Sequence, residues 1–138
     1  MIKNAPYRFS DFQYLSIQYG VPDSMYNSYN SATQEYQYIN RSNEVVKSKL
    51  KLSDDDLLYL HRKAMEMGFW NVDNDMTTLR TDSTEGKDVP RYILEFKYKD
   101  KGKTVTLDAD YAGNEKMKDA AKTTIEKVLD MINVANAR

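Results

Sequence analysis

The chain has 138 residues, of which 41% are hydrophobic, and its 20 basic and 21 acidic side chains leave a formal net charge of -1. With charges this balanced, the chain has no excess of basic residues of the kind that binds nucleic acid. No apolar run approaches the roughly 18 residues of a membrane span. The absence of cysteine excludes disulfides, thiol nucleophiles and thiolate metal sites. A chain of this length predicts a single domain, 1–138.

The first half of the chain predicts three strands. Aromatic and β-branched residues are concentrated in 9–19 and 33–39, which is typical of strands. In 44–52, apolar residues (Val46, Leu50 and Leu52) and lysines (Lys47, Lys49 and Lys51) are expected on opposite faces of a third strand. The segment 23–31 is polar and predicts a loop. The segment 40–43 is rich in Asn and Ser, which tolerate turn conformations.

A helix follows, and several sequence features indicate where it begins. Ser53 is a good N-cap, and the acidic residues after it favour the positive end of the helix dipole. Asp56 stands where a capping box has Glu or Gln, so the predicted box is imperfect. Leu52 and Leu57 occupy the positions of a hydrophobic staple. Gly68 is suited to the left-handed conformation that ends a helix.

The only histidine, His61, projects from the apolar arc of this helix. One interpretation makes it a catalytic base or a metal ligand. The other makes it a half-buried core residue with one hydrogen-bond partner, and this is favoured because no second ligand candidate lies beside it. Zinc centres need several His or Cys ligands, and the chain lacks glycine-rich phosphate loops. We therefore expect no metal and no cofactor.

The second half begins with a polar stretch, 71–89, in which oxygen-bearing side chains alternate from Asn71 to Thr77. These side chains could offer oxygens to calcium, but the glycine and glutamate of an EF-hand loop are missing, so a solvated acidic loop is the competing interpretation. Asp108 and Asp110 could likewise form a carboxylate pair. The alternative has Asp108 facing solvent and Asp110 starting the turn into the last helix.

The rest of the second half predicts a hairpin and a helix. Arg91 to Tyr98 alternates cleanly, 99–102 is a turn, and Val105, Leu107 and Ala109 alternate along the returning strand. Asn114 then caps the final helix.

In the predicted order of elements, βββα-ββα, a hairpin followed by a helix occurs twice. It divides the domain into a βββα half (9–70), a polar loop (71–89) and a ββα half (90–138). The economical arrangement is an α+β fold, with an antiparallel sheet of about five strands and two helices packed on one face.

The stretch from Leu52 to Trp70, within this order of elements, resembles small bacterial secreted or lipoprotein α+β domains of unknown function. The resemblance spans residues 33–135 and is specific mainly at 52–70. It implies a cell-envelope or secreted location, with any signal segment absent from this chain, and implies no catalytic set. A cytoplasmic location stays open.

Tyrosine is unusually frequent, with eleven in the chain. Several are interleaved with Asn, Ser and Gln, which is typical of recognition surfaces that combine rigid aromatics with adaptable polar groups. The competing interpretation is that they cover the exposed face of a sheet. The candidate binding residues are Tyr19, Tyr26, Tyr29, Tyr36 and Tyr38.

We therefore expect a non-enzymatic binding domain that contacts a protein partner or associates with itself. The alternatives are a structural or assembly subunit that associates through an uncovered sheet face, and an enzyme that uses carboxylates. Because two helices cover about one face of the sheet, the other face must meet water or a partner. The first two strands and the loop 21–31 are the expected contact surface, with Tyr26 and Tyr29 as exposed anchors. Charged residues should line the solvated remainder of that face, namely Lys47, Lys49, Lys51, Glu95 and Lys97.

Overall fold

A computed structural model describes residues 7–21, 24–78 and 89–137. These ranges form seven strands, two α-helices and two short 3₁₀ helices, Phe9–Asp11 and Phe69–Asn71. The strands are β1 (Phe12–Gly20), β2 (Asn27–Asn30), β3 (Glu35–Ile39), β4 (Val45–Lys49), β5 (Asp75–Met76), β6 (Arg91–Tyr98) and β7 (Gly102–Asp108). The α-helices are α1 (Asp54–Met67) and α2 (Glu115–Asn136). In the described part of the chain, neither helix has the length and apolarity to span a membrane.

All seven strands belong to one sheet in the order β4-β3-β2-β1-β6-β7-β5. Neighbouring strands are antiparallel, except that β5 runs parallel to β7. The predicted α+β class with a mostly antiparallel sheet is therefore confirmed. The predicted five strands and the order βββα-ββα are wrong in detail, because β2 lies in the predicted loop 23–31 and β5 in the predicted polar loop.

The two faces of the sheet differ sharply. Strand residues on one face are buried, including Leu15, Ile17, Leu94, Phe96 and Val105. Both helices contact this face. His61 of α1 is hydrogen-bonded to Tyr98, and Ile125 of α2 lines a pocket with Tyr92 and Leu107. Tyr92 and Tyr98 lie on the same face of β6, since strand side chains alternate with a period of two.

A β-bulge adjusts the alternation at the start of β1. Phe12 pairs with Tyr98, whereas Tyr14 pairs with the adjacent residue Lys97. The intervening Gln13 is thus an extra residue on β1. Because of it, Phe12 packs against the core on the same side as Leu15.

The predicted ends of α1 are confirmed, and its cap is more complete than predicted. The Ser53 hydroxyl oxygen accepts a bond from the Asp56 N–H at 3.1 Å, and the Asp56 carboxylate accepts one from the Ser53 N–H at 2.9 Å. An aspartate at this position therefore completes a capping box, and the expectation of an imperfect box is wrong. Gly68 ends the helix in the left-handed conformation (φ 77°). The predicted cap of α2 is also confirmed, because the Asn114 side chain accepts from the Met117 N–H.

Candidate functional site

Two of the predicted binding tyrosines are buried on the helix-covered side of the sheet. Tyr29 is only 2% exposed, and its hydroxyl donates to the Leu50 carbonyl at 2.8 Å. Tyr36 is buried beside it, with its ring edge-on to that of Tyr29. The expectation that Tyr29 is an exposed anchor is wrong, because β2 pairs Tyr29 with the buried Ile17 of β1. Neither tyrosine covers the exposed face of the sheet, so that interpretation is also wrong for this pair.

The other three candidate tyrosines lie in different environments. Tyr19 is half-buried and stacks on Tyr92, with ring centroids 5.9 Å apart. Tyr38 is half-buried and packs against Tyr36. Tyr19 and Tyr38 both lie on the helix-covered side of the sheet, because each is an even number of residues away from a buried residue of its own strand. Tyr26 alone among the five is well exposed, at 46%.

The opposite face of β1–β4 is covered by neither helix and is polar. Its centre is a row formed by Gln18 of β1, Ser28 of β2 and Gln37 of β3, which are neighbours in the register. Further hydroxyl, amide and charged groups adjoin this row on the same face. We call this surface the polar face, and its residues are Ser16, Gln18, Ser28, Asn30, Glu35, Gln37, Lys47 and Lys49.

The polar face is concave. One depression of about 320 Å³ lies over β2, β3 and β4, and a second of about 340 Å³ lies over β1, β2 and β3. Ser28 and Glu35 line both depressions, so the two adjoin. Lys47 and Lys49 line the first, as expected for the solvated part of this face. A ligand lying here would meet hydroxyl, amide and charged groups, with the lysines at the β4 edge, and also the aromatic and aliphatic residues that line the depressions, namely Ile17, Tyr29, Tyr36 and Ile93.

Two glutamine side chains fix a short loop segment to this surface. The Gln18 amide donates to the Met25 carbonyl at 3.1 Å, and the Gln37 amide donates to the Tyr26 carbonyl at 2.8 Å. The exposed Tyr26 is thereby held at the margin of the polar face. Gly20 lets the chain turn back at the end of β1, because its φ of 146° suits glycine and a Cβ there would lie 2.6 Å from the Ser24 carbonyl oxygen.

Glu95 places a carboxylate next to the polar face, on β6. The Tyr14 hydroxyl donates to one of its oxygens at 3.2 Å, and the Ser16 hydroxyl lies 3.5 Å from the same oxygen. Partial burial and the nearby Glu95 charge both raise the pKa of the Tyr14 hydroxyl. Tyr14 is therefore a neutral donor, and it orients Glu95 beside Ser16.

His61 is a core residue with a hydrogen-bond partner, as predicted, but it is buried and not half-buried. It is 5% exposed, and its Nδ1 lies 2.7 Å from the Tyr98 hydroxyl oxygen. The rings of Phe9 and Trp70 flank it. Burial, followed by the charge of Arg62, lowers the pKa of His61. Across residues 7–21, 24–78 and 89–137 there is no cluster of three or more His, Asp or Glu side chains that could hold a metal ion.

The expectation that Asp108 faces solvent is wrong. Asp108 is 1% exposed, and its carboxylate accepts two bonds from the Arg91 guanidinium, at 2.7 and 3.1 Å. It also accepts from the Thr78 N–H at 2.8 Å, while the Thr78 hydroxyl donates to Asp110. The two carboxylates thus tie the end of β7 to the chain after β5. Alternation along β7 could not reveal this, because the partners are distant in sequence.

Two of the four calcium candidates, Asp75 and Thr77, are hydrogen-bonded to each other. The Asp75 carboxylate accepts from the Thr77 hydroxyl at 2.6 Å and from the Thr77 N–H at 3.1 Å, and these bonds lower the pKa of Asp75. This is a side-chain turn of the kind that Asp commonly forms. The rest of the predicted acidic loop, 79–88, lies outside the described residues.

Sequence reasoning missed the central row of the polar face. Gln18, Ser28 and Gln37 are ordinary polar positions in alternating segments, and nothing local marks them. The strand pairing brings them together, and a prediction that recognised β2 would have revealed their common face.

Comparisons with protein-family models, with curated proteins and with solved structures found no significant match, so the geometry of this chain alone carries the functional argument.

Proposed function

We propose that this chain is a non-enzymatic binding domain that contacts a protein partner through the polar face, with Tyr26 as an aromatic anchor at its margin. One observation carries the proposal: a concave, hydrogen-bonding surface lies on the side of the sheet that neither helix covers. The cell-envelope or secreted location stays a prediction from the sequence.

The chemistry of the polar face suits a partner rich in backbone and side-chain hydrogen-bonding groups. Besides the N–H that holds the loop, the Gln18 and Gln37 amides each have a second N–H and an oxygen, and Ser16 and Ser28 carry hydroxyls that can donate or accept. Adaptable polar groups around a rigid tyrosine form surfaces of the antibody type. In such interfaces a few aromatic residues supply most of the binding energy.

The edge of the sheet beside the polar face favours an extended partner segment. β4 is the terminal strand of the sheet that the described residues form, and none of their other strands pairs with its outer side. Lys47 and Lys49 project from it onto the polar face, opposite Gln37 and Glu35 on β3. An acidic segment lying across β3 and β4 would meet both lysines, which would help to fix its direction.

The same surface could instead join copies of this chain, which is the assembly alternative. A photocrosslinking amino acid, p-benzoylphenylalanine, in place of Tyr26 separates the two. The matched control carries it in place of Tyr59, which is similarly exposed (40%) but lies on α1. The proposal expects one heterologous adduct at position 26 and none at 59. Adducts between copies of the chain at position 26 would favour assembly instead.

The second experiment measures binding of the partner protein that is identified from the adduct at position 26 and then purified. Ser28→Arg places a long charged side chain at the centre of the polar face, where both depressions meet. We expect it to weaken partner binding at least tenfold by calorimetry. Thr104→Arg, on β7 outside both depressions, is the control and should bind like the wild type. Equal affinity of Ser28→Arg and the wild type would refute the proposal.

A further inference from the structure

A separate, smaller pocket lies on the helix-covered side of the sheet, between α2 and the strands β6 and β7. Its volume is about 160 Å³. Its apolar walls are formed by Tyr92, Leu107, Ile125 and Leu129, while Lys118 and Lys122 add ammonium groups to its lining. It shares no residue with either depression of the polar face.

The local sequence explains why a gap remains here. Lys118, Lys122, Ile125 and Leu129 recur every three or four residues, so they form one stripe of α2. This stripe faces Tyr92 and Leu107, which are paired across β6 and β7. Ala109, just beyond β7, also lines the pocket. Its side chain is too small to fill the space between the strand ends and the helix.

The charges in the lining favour an anion. Two lysines and one acid, Glu126, line the pocket. Within the described residues, neither Lys118 nor Lys122 forms an ion pair. Lys118 is half-buried and Lys122 is exposed, so both ammonium groups can be reached from solvent. A ligand with one negative charge would therefore gain from two cations and meet one carboxylate.

The size and walls favour a single ring. An apolar protein cavity of about 150 Å³ binds benzene, which is close to the volume of this pocket. Tyr92 offers an aromatic wall, and its stack on Tyr19, with the ring planes 20° apart, restrains its orientation. Aromatic rings prefer offset-stacked or edge-to-face contacts with other rings. We propose that this pocket binds a small aromatic carboxylate, with its ring between Tyr92 and Ile125 and its carboxylate toward Lys118 and Lys122.

Benzoate is the probe for this proposal. Titration into the isotopically labelled protein, followed by two-dimensional NMR, should shift the signals of Leu107, Ile125 and Leu129 saturably at about millimolar concentrations. Benzyl alcohol has the same ring without the charge, and hexanoate has the charge without the ring. Both should bind at least fivefold more weakly than benzoate. Equal binding of benzyl alcohol would overturn the role of the lysines, and equal binding of hexanoate would overturn the preference for a ring.

Variants test the position of the site. Lys118→Gln combined with Lys122→Gln should weaken benzoate about fivefold, since exposed charge contacts are individually small. Lys127→Gln is the matched control, because Lys127 lies on α2 but lines a different depression, toward α1. Ala109→Leu should fill the pocket and abolish saturable shifts, and this exposed position should tolerate the change. Unchanged binding in Ala109→Leu, or an equal loss in Lys127→Gln, would place the site elsewhere and overturn the proposal.

Discussion

The Nδ1 atom of His61 and the hydroxyl oxygen of Tyr98 lie 2.7 Å apart, joining α1 to β6 inside the core. Burial raises the pKa of Tyr98 and lowers the pKa of His61, so both groups are neutral near pH 7. The two neutral groups share one hydrogen bond, whose direction depends on which imidazole nitrogen carries the proton. The single histidine of the chain is therefore a buried, neutral hydrogen-bond partner of Tyr98.

The lowered pKa of His61 predicts a loss of stability in mild acid. The unfolded chain takes up a proton near the ordinary value of 6.5, whereas the native histidine resists protonation. The free energy of unfolding should therefore be level above about pH 7.5 and fall as the pH drops through 6.5 toward the native pKa. Urea denaturation between pH 5 and pH 8 measures this dependence.

Two controls isolate the histidine. Replacement of His61 by Phe should flatten the pH dependence within this window, whatever it does to absolute stability. The single imidazole C2–H signal also reports the native pKa directly by NMR. A native pKa at or above 6.5 would contradict the prediction.

The two tyrosines first expected to be exposed anchors should behave differently. Tyr29→Phe removes a buried bond to the Leu50 carbonyl and should cost about 1–2 kcal/mol of unfolding free energy. Tyr29→Ala also leaves a large cavity and should cost about 3–5 kcal/mol. Tyr26→Ala should change stability by less than about 0.5 kcal/mol, as is usual at exposed positions. Urea denaturation compares the three, and a stable Tyr29→Ala variant would contradict the burial of Tyr29.

The Asp108 carboxylate should be important for stability, not chemistry. Asp108→Ala removes the two bonds from the Arg91 guanidinium and the bond from the Thr78 N–H, and should cost about 2–3 kcal/mol. This is below the usual loss for a fully buried ion pair, because the Arg91 side chain is 29% exposed. Asp100→Ala, in the exposed β6–β7 turn, is the control and should be near neutral. Thermal unfolding monitored by circular dichroism distinguishes them.

Gly20 should be required for the approach of Ser24 to β1. Gly20→Ala forces a Cβ to within 2.6 Å of the Ser24 carbonyl oxygen at a strained positive φ, and should cost about 1–3 kcal/mol. We also expect the Tyr26 amide to exchange faster with solvent deuterium, because its N–H donates to the same Ser24 carbonyl oxygen that the new Cβ would displace. Gly68→Ala is an informative comparison, since it has a positive φ but no close contact. Equal effects at the two sites would mean that only backbone strain is involved.

The parts of the fold that were predictable have local causes. The ends of α1 follow from Ser53, its acidic first turn and Gly68, all within one short stretch of chain. The hairpin of β6 and β7 follows from clean alternation on both sides of a turn. β2 was missed because Asn27–Asn30 holds one tyrosine among polar residues. It is a strand because β1 and β3 pair with it on both sides.

The candidate site was less predictable, because its residues are brought together by strand pairing. Alternation puts Tyr36 and Tyr38 on one face of β3, but alternation alone does not tell that this face lies under the helices. The burial of Asp108 depends on Arg91 and on Thr78, which are 17 and 30 residues away in the chain. Neither relationship leaves a local signal in the sequence.

The position of β1 in the sheet has a consequence for folding. β1 lies between β2, its neighbour in the chain, and β6, whose Glu95 is 79 residues from Ser16. During synthesis, the ladder between β1 and β6 therefore cannot form until more than half of the chain has followed β1. Until then, one side of the strand that becomes central is an unpaired edge, open to other chains. We expect slow folding, limited by this long-range closure, and the nascent chain to be most prone to aggregation before Tyr98 is available.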